Sequence, residues 1–275
     1  MSTPIEVFHE LHKSGCFVLP NPWDAGSAVY LHHLGFKALA TTSSGFAFSR
    51  GLPDDIRAAP RDAVLEHCRE IVAATPLPVN ADFQNGHADE PERVAENVAL
   101  CVATGVAGLS IEDSIPGETK GLYDLELAIE RVKAARRAID DSGVPVVLTA
   151  RCEAWLVGDS DSFATSLKRL TAFADAGADC LYAPGVTDTL QIGAIVKAVA
   201  PKPVNVLVHR AEPNLTLAKL TDLGVRRISV GSALARVAWG AFIRAAKEIA
   251  NEGTFGAFGD AASGVELNNL FRSRQ

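Results

Sequence analysis

Five side chains carry the chemistry this sequence can offer: Asp54, Asp82, Glu112, Asp113 and, opposite them in type, Arg151. Each stands at or soon after the end of an apolar run. Carboxylates brought together repel one another unless a cation neutralises them. Their oxygens come without an accompanying His/Cys set, which suits Mg²⁺ or Mn²⁺, held by few direct carboxylates and several waters. Ser43, Ser44 and Gly45 add hydroxyl and backbone N–H donors for an anionic substrate group. Each residue also has a plainer reading. Asp54 and Asp55 follow Pro53 and suit a turn. Asp82 suits a cap on the next loop, Glu112-Asp113 a solvated pair, and Arg151 a structural ion-pair partner. What separates the readings is whether the fold puts them on one rim.

The elements that must do so repeat eight times. Short β-branched runs at 16–20, 38–42, 78–82, 108–113, 144–151, 180–184, 203–208 and 226–231 alternate with helical stretches at 25–34, 61–74, 91–104, 125–142, 161–176, 189–200, 216–223 and 233–251. The runs are almost continuously apolar, as parallel strands covered on both faces are. Gly35, Gly105, Gly143, Gly177 and Gly224 close helices just before the next strand, where a left-handed cap is needed. Eight such units without a low-complexity linker predict one (β/α)₈ TIM-type barrel over 1–252. A doubly wound sheet is the competitor, but Pro20-Asn21-Pro22-Trp23-Asp24 stands where its Gly-x-Gly-x-x-Gly belongs. The tail, 253–275, has little periodicity and is expected to pack on a neighbouring subunit or to be partly mobile.

A barrel carries its active site at the C-terminal strand ends. That rule gathers Asp54, Asp82, Glu112, Asp113 and Arg151 on one rim with Asn21, Trp23, Asn80, Tyr182, Asn205 and His209. Trp23 is expected to shape the pocket. His87 and His209 read as surface histidines, and alternation turns Cys152 away from the face of Arg151.

Composition removes other classes. A chain of 275 residues with 48% hydrophobic side chains has enough apolar surface for a packed core. A net charge of −7 without a lysine/arginine run leaves no basic face for nucleic acid or an anionic membrane. No apolar stretch approaches the roughly 20 residues of a membrane span, and the N-terminus lacks a signal-peptide core. Five scattered cysteines, an odd number without a Cys-x-x-Cys pair, fit reduced thiols in a cytoplasmic protein.

The rim segments resemble the isocitrate lyase/phosphoenolpyruvate mutase superfamily, in its PEP phosphonomutase-like branch. The matching pieces are Pro20-Asn21-Pro22-Trp23-Asp24-Ala25, Thr41-Thr42-Ser43-Ser44-Gly45, Gly51-Leu52-Pro53-Asp54, Val79-Asn80-Ala81-Asp82, Ile111-Glu112-Asp113 and Thr149-Ala150-Arg151, in the family's order over most of the chain. The resemblance implies a barrel whose last helix is exchanged with a neighbour, usually within a tetramer, a dimer of helix-swapped dimers. It implies Mg²⁺ (or Mn²⁺) held by Asp82, Asp54 and Glu112, a substrate carboxylate gripped at Ser44 and Gly45, and an oxyanion steadied by Arg151.

The chain departs from the family's pattern twice. Asn80 stands where the first acid of Asp-x-Asp belongs. Ser114-Ile115-Pro116-Gly117-Glu118-Thr119-Lys120-Gly121-Leu122-Tyr123 replaces the lyases' Lys-Lys/Arg-Cys-Gly-His segment. The lost cysteine argues against isocitrate or methylisocitrate cleavage, with Lys120 and Tyr123 as partial substitutes. The leading expectation is a Mg-dependent lyase or hydrolase that cleaves a C–C bond in a small α-oxo acid, a dicarboxylate by preference, through a metal-stabilised enolate. Asp54, Glu112 and Arg151 would be catalytic; Trp23, Ser43, Ser44, Gly45, Asn80 and Asn205 would bind substrate. The alternatives are a P–C mutase or hydrolase acting on phosphonopyruvate or phosphoenolpyruvate, and a non-catalytic barrel serving as a binding or assembly protein. A Schiff-base aldolase ranks low, since no lysine falls at a strand end inside the barrel.

Overall fold

A computed structural model describes residues 2–117 and 121–272. Eight parallel strands appear in the predicted order: β1 (Phe17–Leu19), β2 (Leu39–Ala40), β3 (Val79–Asp82), β4 (Gly108–Glu112), β5 (Val147–Arg151), β6 (Cys180–Tyr182), β7 (Val204–Leu207) and β8 (Arg227–Ser229). From β2 to β8 each strand pairs in parallel with the next, and β1 pairs with β8. Only the β1/β2 seam lacks a ladder. Two side-by-side devices bridge it. Ala40 N–H donates to the Pro20 carbonyl at 3.0 Å. The buried Asn21 amide donates to the Thr41 carbonyl at 2.8 Å and accepts from the Val230 and Gly231 N–H groups. The molecule is therefore a nearly closed (β/α)₈ barrel.

The helices are α1 (Pro4–Lys13), α2 (Ala25–His33), α3 (Ser43–Ser49), α4 (Arg61–Ala74), α5 (Pro91–Val102), α6 (Leu125–Ser142), α7 (Ala154–Val157), α8 (Ser162–Asp175), α9 (Thr189–Val199), α10 (Leu217–Asp222), α11 (Ala233–Glu252) and α12 (Gly264–Arg272). Three of these depart from the sequence expectation in ways that matter to the rim. The Ser/Gly-rich stretch after β2, expected as loop, folds into α3 because Thr42 caps it, its Oγ1 accepting the Gly45 N–H. A single turn, α7, follows β5. In the tail, expected without periodicity, Gly264–Arg272 is helical. The five predicted cap glycines all have positive φ, as a left-handed cap requires.

Outward strand residues pack under the helices: Leu109, Leu148 and Leu181 on the strands are fully buried with Ile139, Leu170 and Ile195. Inside, the barrel is polar. The wholly buried Arg227 donates to Asn205 Oδ1 and Thr149 Oγ1, each at 2.9 Å, and lies 3.3 Å from the His12 ring of α1. With Phe8 buried beside it, α1 stoppers the N-terminal end of the barrel, which leaves the opposite end for chemistry. On α11, Val237 and Phe242 are 70% and 60% exposed, so its apolar stripe is left open by the described residues. Among the described residues no helix is long and apolar enough to cross a membrane.

Candidate active site

Strand register builds the site. Glu112 pairs with Arg151 across β4/β5, and Arg151 with Tyr182 across β5/β6. Side chains of paired positions share a face, so all three point inward at one level. Asp82 ends β3 on the same face. The guanidinium of Arg151 consequently sits among carboxylates: Nη1 on Asp82 Oδ1 at 2.6 Å, Nη2 on Glu112 Oε2 at 3.1 Å and Nε on Glu153 Oε1 at 2.9 Å. The Tyr182 ring lies 5.1 Å from the guanidinium carbon. The plainer reading of Arg151 as an ion-pair partner is thus correct as geometry, and compatible with a role on substrate.

The second Asp82 oxygen accepts from both the backbone N–H (3.0 Å) and the hydroxyl (2.9 Å) of Ser43, so Asp82 also binds the start of α3. Glu112 and Asp113 are no solvated pair. Glu112 Oε1 accepts from the Ser114 hydroxyl at 2.9 Å. Asp113, buried, accepts from the Glu153 N–H at 2.8 Å and from Arg169 at 3.0 Å. Asp113 therefore braces the β4 and β5 ends from behind the site.

One guanidinium does not satisfy this much negative charge. Burial pushes the Glu153 carboxyl up to about 8, with Glu112 and Asp113 adding repulsion that Arg151 only partly offsets. Burial also raises Glu112, reinforced by Asp82 and opposed by Arg151. Asp54, on an exposed loop, is raised by desolvation and then by Asp82, while Arg151 and the Ser44 hydroxyl pull it down. Burial is the largest cause of each rise, and repulsion between the carboxylates adds to it. The hard oxygen donors Asp54, Asp82 and Glu112 fit Mg²⁺ or Mn²⁺ in kind. Among the described residues, however, no three His, Cys, Asp or Glu side chains form a group able to hold a metal directly. The oxygens of Asp82 and Glu112 face Arg151, Ser43 and Ser114 instead.

Two cavities adjoin at this level. One, of about 250 Å³, runs down the barrel axis past Asn80, Asp82, Tyr182 and Asn205. The other, of about 310 Å³, opens outward between Asp54, Gln84, Glu112, Ser114 and Glu153. Ser43, Asp54, Arg151 and Leu156 line both.

Several expected binding residues take other places. Trp23 lines neither cavity; its Cβ packs near Gly45 instead. The Gly45 N–H is spent on the Thr42 cap, so it is not offered to a substrate. Its lack of a side chain is steric: a Cβ would lie 2.5 Å from Thr42 Cγ2 and 3.2 Å from Trp23 Cβ. Ser43 and Ser44 line the axial cavity. Asn205 also does, although both ends of its amide are held, by Ser229 and Arg227. Asn80 is buried in the same cavity wall, and its Oδ1 has no partner. Tyr123 is no stand-in for the lyase cysteine. Tyr123 lines neither cavity; its hydroxyl is bonded to Asp89 and to Asn85, a residue of the outer cavity wall, and burial pushes it up to about 12. Lys120 lies outside the described residues. Glu153, Tyr182 and Gln84 carry no role in the sequence reading, which places Tyr182 on the rim without one. The i+2 spacing of Glu153 from Arg151 was the available signal for the first.

Comparison with known proteins decides the family. A profile described as phosphoenolpyruvate phosphomutase matches residues 8–250. The chain belongs to the phosphoenolpyruvate phosphomutase family. An uncharacterized protein of Mycobacterium tuberculosis is 37% identical over 82% of this chain and 81% of its own length. A crystal structure from Burkholderia cenocepacia shares 47% identity with a TM-score of 0.91, covering 97% of this chain and 95% of that one. Oxaloacetate acetylhydrolase in complex with its product oxalate shares 26% identity with a TM-score of 0.87, over 98% of this chain and 93% of that one. In this phosphomutase-family barrel the region matched by the profile ends within α11, and the tail lies beyond it.

Proposed function

We propose that this protein is a divalent-cation-dependent enzyme that cleaves a carbon–carbon bond next to the oxo group of a small 2-oxo acid, as a lyase or a hydrolase. The observation that carries this is Arg151 set among Asp82, Glu112 and Glu153 at the mouth of a polar barrel. The solved relative named for oxaloacetate hydrolysis supports the substrate class.

Asp54, Asp82 and Glu112 would hold Mg²⁺ or Mn²⁺, in part through water. When bound, the cation supplies Lewis-acid stabilisation of negative charge on the 2-oxo oxygen. The chain's own residues do the rest. Arg151 presents a fixed cationic surface to that oxygen, pre-oriented by three carboxylates, so little reorganisation is needed as charge develops. The Ser43 and Ser44 hydroxyls line the wall where the substrate carboxylate would lie. Glu153, whose carboxyl is raised by burial, holds the Nε edge of Arg151 and fixes the plane of the guanidinium. Leu156, shared by both cavities, adds an apolar side chain beside the guanidinium.

The test is turnover of oxaloacetate and related oxo acids with Mg²⁺ and then with EDTA. Activity should vanish with EDTA and return with Mg²⁺, and Asp82→Ala should be inactive. Equal turnover with and without chelator would refute the reading. A second reading, P–C bond chemistry on phosphonopyruvate, is favoured by the phosphomutase profile and is separated by ³¹P NMR of the same mixtures. For assembly, we infer that a second copy of this chain covers α11, because its Val237 and Phe242 stay mostly exposed.

A further inference from the structure

The outward cavity differs from the axial one in how it treats charge. Arg151 is the only cation lining it among the described residues, and its donors already face Asp82, Glu112 and Glu153. The wall beyond Arg151 carries Ile56, Ile115, Leu156 and Val157 with the carboxylates Asp54 and Asp55, while its Asn85 and Ser114 donors are already bonded to Tyr123 and Glu112. A second carboxylate on the substrate would meet acids and hydrocarbon there.

One neutral polar side chain interrupts that wall without being used. Gln84 is about nine-tenths buried and its Oε1 has no hydrogen-bond partner. Such a group costs about 1–3 kcal/mol unless something pairs with it. Its backbone has φ 48°, a region that non-glycine residues avoid and that concentrates at functional positions. The strain is held from outside. Arg131, fully buried, donates to the Asn85, Ala88 and Asp89 carbonyls, and its guanidinium sits 4.2 Å from the Tyr123 ring centre. The Gln84 carbonyl in turn accepts the Glu112 N–H at 2.8 Å, which ties this residue to the carboxylate level of the site. A costly conformation, a buried anchor beneath it and an unpaired amide in a cavity wall together indicate a ligand contact.

We propose that Gln84 reads the far end of the substrate, and that this end is uncharged: a short 2-oxo acid ending in a hydrogen-bonding neutral group such as an amide or hydroxyl. This rests on the 2-oxo acid reading above and narrows it. The amide of Gln84 pairs with the neutral terminus, while the 2-oxo acid end lies at Arg151. A terminal carboxylate gains no cation in the described wall and is repelled by Asp54 and Asp55.

The experiment compares 2-oxosuccinamate with oxaloacetate, which differ only in whether the far end is an amide or a carboxylate. Affinity is read by calorimetry with Mg²⁺ and specificity by kcat/KM. Oxalate serves as a probe too short to reach Gln84. The wild type should favour the amide by at least about tenfold. Gln84→Gly suits the positive φ, so its melting temperature should equal or exceed the wild type's, while the amide preference falls about 10–100-fold. Gln84→Glu should weaken both substrates, oxaloacetate more. Oxalate should bind all three proteins alike. A wild type that prefers oxaloacetate overturns the proposal, as does an unchanged preference in Gln84→Gly. Failure of oxalate to bind the wild type defeats the site reading itself, and this inference with it.

Discussion

Replacing Arg151 by Met tests the electrostatic account most directly. The substitution keeps an unbranched side chain but removes the guanidinium contacted by Asp82, Glu112 and Glu153 at 2.6, 3.1 and 2.9 Å. Stripping the partner from buried charges costs about 3–5 kcal/mol. The protein limits that loss by protonation, which gives the deficit a pH dependence of known sign. Glu112 and Glu153 are already raised in the folded state, and without Arg151 they rise further. The folded variant then keeps protons that the unfolded chain has released, so its stability falls as pH climbs, by about 1.4 kcal/mol per pH unit for each such proton. The wild type shows the same sense for Glu153 only until its carboxyl ionises at about 8. The deficit of Arg151→Met is therefore smallest near pH 5 and keeps growing above pH 8. Urea unfolding at pH 5, 7 and 9 in EDTA measures it. A deficit constant across that range, or below about 1 kcal/mol at pH 9, would refute the reasoning. Turnover should fall about 10²–10³-fold, the usual loss when an oxyanion-stabilising donor is removed.

Tyr123→Phe deletes the hydroxyl that bonds Asp89 and Asn85; it should cost about 1–2 kcal/mol of stability and leave kcat within a few-fold, whereas a hundredfold loss would return Tyr123 to the chemistry. Gly45→Ala drives a Cβ to 2.5 Å from Thr42 Cγ2; denaturation should show about 1–3 kcal/mol lost, from a forced shift of α3. Phe242→Asp puts a charge on the exposed stripe of α11; sedimentation should show a smaller assembly than the wild type's, and an unchanged one would leave that stripe without its proposed partner.

The order of the strands, the helix caps at Gly35, Gly105, Gly143, Gly177 and Gly224, and the placing of Asp82, Glu112 and Arg151 at strand ends were legible from the chain alone, because period, apolar runs and glycine punctuation are local properties. Helix α3 was not. Its Ser-Ser-Gly run reads as loop, and it is helical because Thr42 caps it and Asp82, 39 residues away, accepts from its first N–H. Tertiary pairing likewise decided what the rim residues do. Register set Glu112 beside Arg151 and drew Glu153 onto the same guanidinium, while Tyr123, attractive by position, was turned away to Asp89. Local sequence determines where a side chain leaves the backbone. Which charge it meets depends on strands and loops distant in the chain, and only their packing into one barrel settles whether a carboxylate faces a cation, a hydroxyl or another carboxylate.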